Sequence, residues 1–187
     1  MKQFEVEYKF KADHIDFDKF DKWARSLVPS SVLITCSEDE YFDVDFADFV
    51  RLRHNRDKSE LTIKKKTVDK NNVIRIEGNM DITRTDREDI NIFLDVMGAK
   101  RSFSITKKCN VYYYADAILA LYEVFNELLQ PRGKFLEVEA NRDILETEEQ
   151  ALAILSKYEK LFTEKFDIDH HNRIKKSLYE LKKTGVI

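Results

Sequence analysis

Phe4-Glu5-Val6-Glu7-Tyr8-Lys9-Phe10 alternates without a break, so an extended chain puts Glu5, Glu7 and Lys9 on one face and Phe4, Val6, Tyr8 and Phe10 on the other. Near the opposite end, Phe135-Leu136-Glu137-Val138-Glu139-Ala140 repeats the arrangement, with Glu137 and Glu139 on one face and Leu136 and Val138 on the other. Two such strands facing each other bring four carboxylates together. A cluster of that kind repels itself unless protons or a hard cation neutralise it, and carboxylate oxygens are the ligands that Mg²⁺ and Mn²⁺ prefer.

Between these two strands the chain reads as further strands at 31–44, 49–53, 61–66, 73–77, 102–114 and 117–125, the middle ones forming a β-meander. Asp13 is expected to cap a helix bearing Phe20, Trp23, Ala24 and Leu27 and ending before Pro29. Thr85 and Glu88 form a capping box ahead of Ile90, Phe93, Leu94 and Met97, with Gly98 as the stop. Residues 126–134 read as an irregular insert. Thr147 and Gln150 cap a long helix reaching about residue 165, and a last helix is expected over 170–183. Eight strands with peripheral helices predict an α+β fold, a closed antiparallel barrel within a single domain over 1–187.

Composition narrows the function. The 187 residues include 36% charged side chains of mixed sign and a net charge of -3, which gives no bulk attraction for nucleic acid or membrane. No apolar run approaches the roughly 20 residues of a membrane helix, and the polar start lacks a signal peptide's hydrophobic section, so a soluble cytoplasmic protein is expected. Cys36 and Cys109 fit no paired metal spacing and read as buried thiols. The adjacent His170 and His171 project differently and read as solvent-exposed.

Taken strand by strand, the face opposite the apolar residues holds Glu5, Glu7, Lys9, Arg51, Arg53, Lys64, Lys66, Arg75, Glu77, Lys107, Glu137 and Glu139. The pairs Arg51/Arg53 and Lys64/Lys66 each point two cations the same way, a spacing suited to neighbouring phosphate oxygens. Alternating charge also marks the wet side of a half-exposed sheet. The segregation by type argues against that: carboxylates concentrate on the first and last strands, whereas Arg and Lys dominate the middle ones. A barrel with these groups inside must be filled by water or ligand.

Glu5-Val6-Glu7-Tyr8-Lys9 resembles the ExExK signature of the CYTH superfamily, the triphosphate tunnel metalloenzymes, which include class IV adenylyl cyclases, thiamine triphosphatases and inorganic triphosphatases. Tyr41-Phe42-Asp43, Arg51-Leu52-Arg53, Leu61-Thr62-Ile63-Lys64, Arg75-Ile76-Glu77, Lys107, Phe135-Leu136-Glu137-Val138-Glu139 and Lys176-Ser177-Leu178-Tyr179 follow in that family's order, over nearly the whole chain. The resemblance implies an eight-stranded tunnel in which Glu5, Glu7, Glu137 and Glu139 hold Mg²⁺ or Mn²⁺. It makes Lys9, Arg51, Arg53, Lys64, Arg75 and Lys107 the phosphate contacts, with Lys66 added by side-chain direction, and gives Glu7, Lys9 and Glu137 the catalytic roles. Two departures stand out. Cys109 occupies a position where many members have arginine, and residues 126–134 replace a shorter connection, with Glu123 a candidate stand-in for the usual aspartate.

The implied activity is metal-dependent hydrolysis of a triphosphate: inorganic triphosphate, thiamine triphosphate or a nucleoside triphosphate. One alternative is cyclisation of ATP to cyclic AMP and pyrophosphate. The other is a non-catalytic binder of a triphosphorylated metabolite or an RNA 5′-triphosphate end. The expected partner is the small-molecule triphosphate, and the helices at 147–165 and 170–183 are compatible with a monomer or a homodimer.

Overall fold

The structure, a computed structural model, describes residues 4–66 and 74–187, without the side chains of Phe4, Lys66 and Ile74. Eight strands, β1 (Phe4–Lys11), β2 (Ser31–Asp43), β3 (Phe49–Asn55), β4 (Ser59–Lys66), β5 (Ile74–Asp81), β6 (Lys100–Tyr113), β7 (Ala117–Phe125) and β8 (Pro131–Ala140), close a barrel in the order β1-β5-β4-β3-β2-β6-β7-β8. All neighbouring pairs are antiparallel, and β1 closes the cylinder by pairing with both β5 and β8. The α+β barrel expected from the alternation is present.

Four helices, α1 (Phe17–Ser26), α2 (Arg87–Val96), α3 (Glu148–Phe166) and α4 (Leu178–Lys183), take up the apolar faces. Val6, Phe10, Leu119, Leu121, Leu136 and Val138 pack outward against Phe20 and Ala24 of α1 and Leu155, Tyr158 and Phe162 of α3. Phe42, Val50, Leu52 and Leu61 pack against Ile90 and Leu94 of α2. Fully burying each such side chain stabilises by about 1.5–3 kcal/mol, so the hydrophobic driving force lies outside the cylinder. The interior is left to the charged half of the alternation. No helix among the described residues is long and apolar enough to cross a membrane.

One end of the cylinder is apolar. Tyr41, Phe49, Phe103, Ile105, Val124 and Phe135 point inward there and meet Leu178 and Leu181 of α4 and Ile187. Tyr179 stacks on Phe49 and Phe103 and donates from Oη to Asp43 at 2.5 Å. Among the described residues, α4 therefore closes this mouth. α4 thus packs as part of the barrel.

Several local expectations are corrected. Asp16, not Asp13, caps α1, because Asp13 accepts from Lys134 N at 2.8 Å and ties the loop to β8. Asp86, one residue beyond Thr85, caps α2 and accepts from Glu88 N. Gly98 does end α2, with φ +72°. The insert at 126–134 shrinks to the turn 126–130: Asn126 Oδ1 accepts from Leu128 N and Gln130 N, and β8 begins at Pro131, a strand-start position that needs no N–H donor. Over 170–183 the helix is broken. After a 3-10 turn at His170–Asn172, Arg173 bridges Phe10, and Ile174 N donates to Lys9 O, lending β1 a partner before Ser177 caps α4. Cys36 is exposed, and only Cys109 is buried as expected. Val73, read as the start of the fifth strand, lies outside the described residues.

Leu181→Ala, in the stopper formed by α4, should cost about 2–5 kcal/mol. Val96→Ala, on the exposed side of α2, should stay within about 0.5 kcal/mol; urea denaturation of both variants measures the difference.

Candidate functional site

A cavity of about 550 Å³ runs inside the barrel. Glu5, Glu7, Lys9, Arg51, Arg53, Lys64, Arg75, Glu77, Lys107, Glu137 and Glu139 all line it. The side chain of Lys66 lies outside the described residues. The alternation thus places every described member of the expected polar set on one lumen, and strand register decides which of them meet.

At the open mouth, Glu7 stands directly opposite Glu139 across β1 and β8, and Lys9 opposite Glu137. Like charges directly opposite each other destabilise a sheet, so the Glu7/Glu139 pair needs compensation. Lys64 Nζ supplies part of it, 2.5 Å from Glu5 and 2.8 Å from Glu77. Arg142, from the turn after β8, lies 2.9 Å from Glu77 and 3.0 Å from Glu139. Lys9 lies 3.1 Å from Glu137 and 3.6 Å from Glu7, and Tyr122 Oη donates to Glu137 at 2.7 Å. Lys64 and Lys9, expected as phosphate contacts, are therefore held among carboxylates.

Compensation is uneven. Burial, reinforced by Glu7, Glu77 and Glu139, keeps the Glu5 carboxyl well above its ordinary range despite Lys64. Burial likewise pushes Glu139 up to about 7 against the pull of Arg142, with Glu77 and Glu7 adding to the rise. For Glu7, burial is overcome by Lys9, Lys64 and Arg75, which bring its carboxyl down to about 2. The mouth thus retains negative charge demand that a proton or a cation would satisfy.

This donor set is all hard oxygen and fits Mg²⁺ or Mn²⁺. As they stand, the carboxylates are parted by their own cations. Among the described residues, the only three His, Cys, Asp or Glu ligand atoms within 4.8 Å of one another belong to Asp169, His170 and His171 on the surface, where both histidines are exposed as expected. Glu5, Glu7, Glu77, Glu137 and Glu139 are among the carboxylates the lumen offers to a hard cation.

Two further lumen cations share one carboxylate. Arg53 makes a bidentate pair with Asp39 at 2.7 and 2.9 Å, and Lys107 reaches the same carboxylate at 2.7 Å. Asp39 is fully buried; burial pushes its carboxyl up, but Arg53 and Lys107 hold it far below the usual range. Burial and the neighbouring Arg53 lower the Lys107 ammonium. Arg51 donates to Thr62 Oγ1 and Arg75 to Lys175 O, yet the buried Nε–H of each has no partner among the described residues. Unsatisfied buried guanidinium donors in a cavity mark a place for acceptor oxygens.

The wall made by β2, β6 and β7 is different. Leu33, Val111, Tyr113, Ile118, Ala120 and Tyr122 line it, and Cys109 continues it where a cation was expected. Burial raises the Cys109 thiol, so it adds no charge. Glu123 is set aside as a stand-in aspartate: β7 faces the lumen through Ile118, Ala120 and Tyr122, and Glu123 has the opposite parity. Asp39, Glu60 and Arg142 are among the lumen or near-lumen groups that escaped sequence reading. Asp39 was signalled by alternation with Ser37 and Tyr41 on β2, and Glu60 lies one residue before the expected strand. Arg142 sits on a turn with no periodic signal.

The model of the CYTH domain matches residues 3–171. Among solved structures, the chain is similar to the PH1012 protein of Pyrococcus horikoshii OT3, at 22% identity and a TM-score of 0.74, covering 95% of this chain and 98% of that one. It is similar to a conserved hypothetical protein of Pyrococcus furiosus at 25% identity and a TM-score of 0.73, covering 95% and 99%. A candidate adenylate cyclase of Vibrio parahaemolyticus shares the fold at 18% identity and a TM-score of 0.68, covering 97% and 98%. No curated protein matches the chain.

Because the folded carboxyl of Asp39 is depressed, its stabilisation is complete above the ordinary value of 3.8 and is lost as pH falls below it. Asp39→Asn, which strands Arg53 and Lys107, should cost roughly 3–5 kcal/mol at pH 7. The gap to wild type should narrow below pH 3.8, as read by chemical denaturation across pH.

Proposed function

The chain belongs to the CYTH family, and on that footing we propose that it is a metal-dependent hydrolase of a triphosphate bound inside the barrel. Its whole length, residues 1–187, acts as one domain in this reading. The observation that supports it most is that the buried Nε–H groups of Arg51 and Arg75 have no partner among the described residues, in a cavity that Arg53 and Lys107 also line. These are donors and cations arranged as a polyphosphate requires, in a cavity whose mouth is acidic.

Arg51, Arg53, Arg75 and Lys107 bind the phosphate oxygens and stabilise the charge that gathers on equatorial and leaving oxygens. Arg53 and Lys107 are pre-positioned by Asp39, so little reorganisation is needed when substrate arrives. Glu137, fixed by Tyr122 Oη and Lys9, and Glu7, kept ionised by its cationic neighbours, orient the attacking water. Lys9 holds both carboxylates in place. Mg²⁺ or Mn²⁺ bound by Glu5, Glu7, Glu137 and Glu139 would supply Lewis acidity and lower the pKa of bound water.

A second reading, cyclisation of a nucleoside triphosphate, is favoured by the apolar wall of Leu33, Val111, Ile118 and Ala120, which offers an organic group a surface beside the charged lumen. The chemistry then differs only in nucleophile and in which phosphorus is attacked.

Tripolyphosphate, thiamine triphosphate and ATP should be tested with Mg²⁺ and Mn²⁺, and the products identified. Orthophosphate release supports hydrolysis, cyclic AMP with pyrophosphate supports cyclisation, and tight binding without turnover of any substrate overturns both. Glu7→Gln and Glu137→Gln should each lower turnover at least about 100-fold; unchanged rates in both would refute their assigned roles.

A further inference from the structure

Among the described residues, two cations pair with the acidic trio Glu5, Glu77 and Glu139, and they are not equivalent. Lys64 projects from the middle of β4, its side chain 8% exposed, and is clamped between Glu5 and Glu77. Arg142 belongs instead to the three-residue 3-10 turn Arg142–Ile144 that follows β8. Its guanidinium bonds Glu139 through Nε and Glu77 through Nη2, approaches Glu5 at 3.9 Å, and is 20% exposed. One planar cation thus spans all three carboxylates, two of them buried and Glu139 partly exposed.

We infer that Arg142 is an internal counter-cation that occupies the acidic mouth in the metal-free protein and is displaced when a divalent ion binds there. The inference rests on the metal-dependent reading of the mouth and adds a residue that acts against metal occupancy. Without a cation among them, Glu5, Glu77 and Glu139 would repel one another, so the guanidinium keeps the mouth assembled before any metal arrives. A divalent ion must then compete with it. Arg142 is the partner that gives way, because it sits on a short turn facing solvent and its fork can be rehydrated, whereas Lys64 is enclosed by the barrel. Arg142 is therefore a positioning residue for the carboxylates and a competitor for their ligand.

Mn²⁺ binding to the full-length, substrate-free protein, followed by electron paramagnetic resonance, tests this. Arg142→Gln should bind Mn²⁺ at least about tenfold more tightly than wild type, or about 1.4 kcal/mol. Its metal-free melting temperature should fall, and saturating Mn²⁺ should raise it more than it raises that of wild type. Arg142→Lys retains a charge but not the planar fork, guards against loss of fold, and should show intermediate affinity. Wild-type or weaker affinity in both variants overturns the inference while leaving the metal reading intact. No Mn²⁺ binding by any of the three proteins overturns the metal reading and this inference with it.

Discussion

Charges inside this barrel are tolerable because they are matched across strands. An isolated buried ion loses several kcal/mol of hydration, and an ion pair recovers that only with good geometry. Here Asp39 receives a bidentate guanidinium and an ammonium, Lys64 serves Glu5 and Glu77, and Lys9 joins Glu7 to Glu137. Each pair depends on strand register. A slip of one residue in β1 would turn Glu5, Glu7 and Lys9 out beneath α3 and drive Val6 and Tyr8 into the lumen.

That constraint also explains the distribution of hydrophobic burial. A small barrel usually fills its lumen with side chains and leaves its outside to solvent or partners. This one keeps an ionic lumen, so its stability comes from helices laid over the outer face and from the α4 stopper at one end. The helices are structural supports for a polar cavity, and the capping boxes at Thr147 and Ser177 set where two of them begin.

Much of this was legible in the sequence, for a physical reason. Alternation of period two is a direct statement of side-chain direction, so Glu5, Glu7, Arg51, Arg53, Glu137 and Glu139 could be assigned to a common face before any coordinates. Partnership is a different matter. That Lys64 faces Glu5 rather than open space depends on a contact 59 residues away along the chain, which no local pattern encodes. Arg142 projects from a turn, where periodicity has no meaning. Asp39 was within reach, since Ser37, Asp39 and Tyr41 alternate on β2. The insert expected over 126–134 proved shorter because pairing of β8 with β7 is tertiary and no local pattern encodes it. The expected last helix failed likewise: Arg173 and Ile174 pair instead with Phe10 and Lys9 of β1.

The α4 stopper has a consequence for traffic. With Leu178, Leu181 and Tyr179 seated in one end of the cylinder, apolar side chains plug that end among the described residues. A polymer threaded through from end to end would have to push α4 aside, whereas a small anion lodged among the lumen cations would leave it in place.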